Sequence, residues 1–83
     1  MNDRARNEAI KNVVTLVAGV RRSDVRCNLK RGGWATITTP TVLAAEKCEA
    51  IEKELLARGL VNTYGDPNAG DVVEPCVSFW SGK

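Results

Sequence analysis

Apolar side chains recur every three or four positions near the start of the chain and predict a helix over about residues 3 to 20. Asn2 or Asp3 can cap its first turn. Arg21 and Arg22 follow Gly19, where positive charge stabilises the negative end of a helix. The apolar positions lie on one side of this helix and comprise Ile10, Val13, Val14, Val17 and Val20.

Residues 24 to 39 instead alternate between apolar and polar, which indicates two strands joined by a glycine turn. A two-residue turn at Gly32-Gly33 would mix charged and apolar side chains on both faces of the hairpin. A three-residue loop, Arg31-Gly32-Gly33, instead pairs Leu29 with Ala35 and places the charged and the apolar side chains on opposite faces of the hairpin. The apolar face then contains Val25, Cys27, Leu29, Ala35 and Ile37, and the other contains Arg26, Asn28, Lys30, Trp34, Thr36 and Thr38.

A second helix is predicted from about Pro40 to Arg58, with Thr39 as its N-cap. Gly59 suits the left-handed position that ends many helices, and Leu60 can then pack back against the last turn. The expected buried positions of this helix are Ala44, Cys48, Ile51 and Leu55.

The remaining residues predict a second hairpin, with strands at Leu60–Tyr64 and Val72–Trp80. Pro75 cannot donate a ladder hydrogen bond, so the last strand should be an edge strand or begin at Cys76. The pattern therefore predicts one α+β domain over residues 1–83. Its expected order is α-β-β-α-β-β, with an antiparallel four-stranded sheet and two helices packed on one face.

Charge divides the chain into two unequal halves. Residues 1–40 contain eight Lys/Arg and three Asp/Glu, which gives a net charge of +5. Residues 41–83 contain four Lys/Arg and seven Asp/Glu, which gives a net charge of −3. Opposite charge on two parts of a small domain favours a role in binding. The strongest candidate surface, the basic hairpin surface, comprises Arg21, Arg22, Arg26, Lys30, Arg31 and Trp34.

Three readings of the basic hairpin surface are open. It can be a solvated strand face, a protein contact rich in Trp and Arg, or a nucleic-acid contact in which the tryptophan stacks on a base. A pI near 8.6 is less basic than dedicated nucleic-acid binders usually are, which favours protein over nucleic acid.

The residue types limit the chemistry that the chain can perform. It contains no histidine, and its three cysteines include no Cys-x-x-Cys pair. We therefore expect no enzyme activity, no cofactor and no metal site, and a reducing, cytoplasmic location without membrane association.

The expected function is that of a small non-enzymatic binding protein whose partner is a protein or nucleoprotein complex. In size and type the chain resembles accessory proteins of phages and mobile elements, including inhibitors of host complexes such as anti-CRISPR proteins. Association into a homodimer is a further possibility. The segment Leu55–Val61, with the polar turn and strand after it, resembles the recognition helix and wing of winged-helix proteins. That resemblance implies the alternative function, a small nucleic-acid-binding regulator.

Overall fold

The computed structural model of the chain describes residues 2–30 and 34–82. It has the predicted α+β composition, with two helices and short strands in two sheets. The elements in chain order are α1 (Asp3–Ala18), β1 (Arg26–Leu29), β2 (Ala35–Thr39), α2 (Ala45–Ala57), β3 (Thr63–Tyr64), β4 (Glu74–Pro75) and β5 (Val77–Ser81).

Helix α1 begins at the residue that the sequence favours and ends at Ala18, two residues before the predicted end. The side chain of Asn2 accepts a hydrogen bond from the amide of Ala5, 2.8 Å away, and so caps the first turn. At the other end Gly19 takes a left-handed conformation with φ 72°, and its amide bonds to the carbonyl of Thr15. Ile10, Val13 and Val14 are fully buried, which confirms the predicted apolar side.

Helix α2 begins five residues later than predicted, at Ala45, and the proposed Thr39 cap is wrong. Thr39 is the last residue of β2, where it is buried and its hydroxyl donates to the carbonyl of Thr41. A residue held in the sheet cannot cap a helix, so residues 40–44 form a non-helical connection. Ala44, expected in the core, is exposed beside the first turn and provides no side-chain cap.

The end of α2 is as predicted. Gly59 has φ 67°, and its amide donates to the carbonyl of Leu56. The amide of Leu60 reaches the carbonyl of Leu55 at 2.9 Å, which completes the Schellman pattern. Leu55 and Leu60 are both buried, so this turn returns the chain to the core.

The sheet differs from the single antiparallel arrangement that we expected. Strands β1, β2 and β5 form a three-stranded sheet in that order, and β3 pairs with β4 in a separate two-stranded sheet. β1 is antiparallel to β2 with Leu29 opposite Ala35, as predicted, but β5 is parallel to β2. The connection through α2 allows this parallel pairing, since such strands require a long crossover. β5 is an edge strand that begins at Val77, after the break at Cys76.

The core lies between the helices and one face of the three-stranded sheet. Residues from both helices and from β2 that the sequence placed on apolar faces are buried there, namely Ile10, Val13, Ile37, Ile51 and Leu55. Val17, Leu29 and Phe79 are partly buried and pack against them. Both helices therefore lie on one side of the sheet, as predicted.

Candidate functional site

The opposite face of the three-stranded sheet, here called the outer face, points away from both helices. Strand alternation directs Cys27, Ala35, Ile37 and Val77 into the core, and their neighbours in sequence therefore point outward. The outer face comprises Arg26, Asn28, Lys30, Trp34, Thr36, Thr38, Ser78 and Trp80.

Two cations stand on the β1 side of the outer face. Arg26 and Lys30 are both exposed, and neither has an ion pair among residues 2–30 and 34–82. Register places Arg26 opposite Thr38, and Thr38 opposite Trp80. Arg26 and Trp80 are therefore two strands apart, a backbone separation of about 10 Å.

Trp34 is not a freely exposed aromatic. It is half-buried, and its indole N–H donates to the hydroxyl oxygen of Ser78 on β5, 2.9 Å away. Its ring lies 5.4 Å from that of Tyr64 on β3, tilted by 37°. The Tyr64 hydroxyl donates to the Glu74 carboxylate, and this bond raises the pKa of Tyr64. Trp34 thus links β2 with β5 and with the small β3–β4 sheet.

The remaining basic residues of the predicted surface are placed elsewhere. Arg22 forms an ion pair with Glu8 of α1, and its Nε donates to Asn12 at 2.9 Å. Arg21 pairs with Asp24 at 3.7 Å. Both therefore belong to the turn after α1, while Arg31 lies outside the described residues. The structure brings together Arg26, Lys30 and Trp34 on one face.

Trp80 is the residue that sequence reasoning missed. Its side chain is 62% exposed, the largest exposed aromatic surface in the described ranges. Alternation along β5 already directed it away from Phe79, but only pairing with β2 places it on the same face as Arg26. A shallow groove of about 180 Å³ adjoins it, between β5 and the connection before α2, and is lined by Thr39, Val42, Leu43, Cys48, Phe79, Trp80 and Ser81.

The acidic half of the sequence is also concentrated in space. Burial, and then the charges of Glu49 and Glu74, raise the pKa of Glu52 on α2. The carboxylates of Glu49 on α2 and Glu74 on β4 are thus close enough to act on that of Glu52. Positive charge on β1 and negative charge on α2 and β4 give the domain two distinct electrostatic surfaces.

No protein-family model matches the sequence, and comparison with curated proteins and with solved structures gave no significant match. No described helix is long and apolar enough to cross a membrane. Within the described ranges, no group of three or more Cys, Asp or Glu side chains is arranged to hold a metal ion. The outer face is therefore interpreted from its own geometry.

Proposed function

We propose that this chain is a non-enzymatic binding domain that contacts a protein partner through the outer face. The observation that carries the proposal is the exposed ring of Trp80 on a sheet face that both helices leave open, with Arg26 two strands away. Trp and Arg are the residue types that most often dominate the energy of a protein interface.

The surroundings of Trp80 support a contact role. Thr36 and Thr38 on β2 and Ser78 on β5 have short side chains. A partner can therefore reach both the guanidinium of Arg26 and the ring of Trp80. Trp34 on the same face donates a hydrogen bond to Ser78, which restricts its side chain before binding. A surface that is already ordered loses less conformational entropy on association.

Charge favours a protein partner over nucleic acid. The described outer face presents two cations, Arg26 and Lys30, whereas many nucleic-acid binders neutralise about six to ten phosphates. Two cations beside an aromatic ring match an acidic patch on a protein or on the protein part of a nucleoprotein complex.

The test uses charge reversal and truncation on the outer face. Tagged wild-type chain, Trp80→Ala and Arg26→Glu are used to capture partners from nuclease-treated native lysate. Lys53→Glu on α2 and Leu16→Ala on α1 are matched controls, because both side chains are exposed and lie away from the sheet. We expect wild type and controls to retain the same protein, and Trp80→Ala to weaken its binding by about 2 kcal/mol or more.

A second measurement separates the two classes of partner. Binding of a labelled single-stranded oligonucleotide is titrated at low and moderate salt. Affinity that falls steeply with salt and is reduced by Arg26→Glu would assign the outer face to nucleic acid instead. Equal capture by wild type, Trp80→Ala and Arg26→Glu would remove the outer face as the contact surface.

A further inference from the structure

The two edges of the three-stranded sheet are not alike. The β1 edge is covered in part, because the side-chain amide of Asn7 on α1 donates to the carbonyl of Cys27 at 2.6 Å. Charged Arg26 also stands on that strand. Such features are the usual means by which proteins prevent pairing at an exposed edge.

The β5 edge has none of these features. The amide of Ala35 bonds to the carbonyl of Cys76, and the amide of Gly82 to the carbonyl of Thr39. In a parallel ladder with this register, the backbone groups of Ser78 and Trp80 also point toward β2, whereas the amide of Cys76, before the strand, donates to the carbonyl of Asn62. The N–H and C=O groups of Val77, Phe79 and Ser81 point away from it, and the described sheet has no strand beyond them.

The composition of β5 leaves this edge open to pairing. Its sequence, Val-Ser-Phe-Trp-Ser, contains no charge and no proline. Phe79 is only partly buried, and Trp80 is largely exposed. An uncharged edge strand with aromatic side chains is a template for a further strand.

We propose that the β5 edge is a homodimer interface at which a second copy of this chain adds its own β5 in antiparallel orientation. A two-fold axis through Phe79 places Val77 of each copy opposite Ser81 of the other, and Phe79 opposite its own counterpart. The three outward-facing residues of each strand then exchange about six N–H···O bonds. The strand is neutral, so this pairing brings no like charges together.

Side chains support the same register. The partly buried Phe79 rings meet on the helix side of the sheet, where each covers apolar surface of the other. On the outer face each Trp80 lies across from Ser78 of the second copy. A closed two-fold pairing of this kind uses the same patch on both subunits, which is the commonest form of oligomer. The result is a continuous six-stranded sheet with two outer faces side by side.

Ser81→Pro tests the pairing without altering the outer face. Its N–H points away from β2, so proline removes an intermolecular donor while the β2–β5 ladder keeps its bonds. Ser81→Ala is the matched control. We expect sedimentation velocity to give twice the 9.0 kDa chain mass for wild type and Ser81→Ala at high concentration. Ser81→Pro should weaken dimerisation by about tenfold or more.

Amide hydrogen exchange gives a second readout that does not require a variant. The amides of Val77, Phe79 and Ser81 should become protected as concentration rises, while those of Ser78 and Trp80 are protected at all concentrations. A wild-type chain that remains at 9.0 kDa throughout would overturn the proposal. A dimer that Ser81→Pro leaves intact, or in which the Phe79 amide stays unprotected, would place the interface elsewhere. Neither measurement uses the partner of the outer face, so the proposed function is tested separately.

Discussion

Trp34 and Ser78 are joined by a hydrogen bond from the indole nitrogen to the hydroxyl oxygen at 2.9 Å. Trp34 immediately precedes β2 and Ser78 lies near the start of the parallel strand β5, so the two residues are distant in sequence. A residue that the sequence marked as a candidate contact is therefore also part of the structure that holds the sheet together.

The first prediction concerns this bond. Ser78→Ala should lower the free energy of unfolding by about 1 kcal/mol, because the part-buried indole N–H loses its acceptor. Trp34→Phe should lose the same bond, and the double variant should cost less than the sum of the two. Urea denaturation measures all three. Strictly additive losses would mean that Trp34 and Ser78 do not interact.

A second prediction concerns the buried side of α2. Ile51→Ala and Leu55→Ala should each cost about 2–5 kcal/mol, since both side chains are fully buried against α1 and the sheet. Leu56→Ala is the control from the same helix, where the side chain is 37% exposed and the loss should be much smaller. An unchanged urea midpoint for either core variant would contradict the assignment of this side.

A third prediction compares two glycines with positive φ. Gly59→Ala should cost about 1 kcal/mol, because φ is 67° and a Cβ there meets no atom within 4 Å. Gly65→Ala should cost more, since φ is 105° and its Cβ would lie 2.5 Å from the carbonyl oxygen of Val72. Thermal or urea unfolding of the two variants checks the order. The reverse order would show that the turn between β3 and β4 adjusts freely.

A fourth prediction is a pH dependence. The pKa of Glu52 is raised above 4.5 in the folded chain, so its ionised form is less favourable there than in the unfolded chain. The stability associated with Glu52 is therefore present below pH about 4.5 and is lost as the pH rises through the raised folded value. Glu52→Gln should raise the free energy of unfolding measured by urea denaturation at neutral pH, by less than about 1 kcal/mol since the group is partly exposed, and change it little at pH about 3. Glu46→Gln, at an exposed position of α2, should show no such gain.

A fifth prediction concerns the thiols. All three cysteines are free, and Cys27 and Cys76 are buried whereas Cys48 is partly exposed. Burial raises the pKa of both Cys27 and Cys48, which slows their reaction with thiol reagents. We expect Cys48 to react first in the native protein and three thiols to react in denaturant. Fewer than three in denaturant would indicate a disulfide.

Thr39 shows how far local sequence can predict this fold. Threonine followed by proline favours a helix N-cap, yet threonine also favours strands. The choice is made by the pairing of Thr39 with Ser81, a contact with the far end of the chain. The start of α1 and the end of α2 depend on neighbouring residues, and there the sequence was sufficient.

The candidate site also has one part that the local sequence predicts and another that depends on distant pairing. Separation of charged from apolar positions within one hairpin predicted the register of β1 with β2 and the common face of Arg26, Lys30 and Trp34. The position of Trp80 beside that face, and the bond that fixes Trp34, both depend on β5. No local pattern indicates that β5 pairs with β2 rather than with β3.

The central position of β2 has a consequence for the order of folding. Its antiparallel neighbour β1 closes a short loop, whereas β5 can join only after the chain has returned past α2. The entropy of closing the longer loop grows slowly with length, so the delay affects rate more than final stability. Until β5 arrives, one side of β2 exposes unpaired amides and carbonyls beside Ala35 and Ile37. In such a partly folded chain the unpaired side of β2 is a second edge at which aggregation can begin, in addition to the native β5 edge.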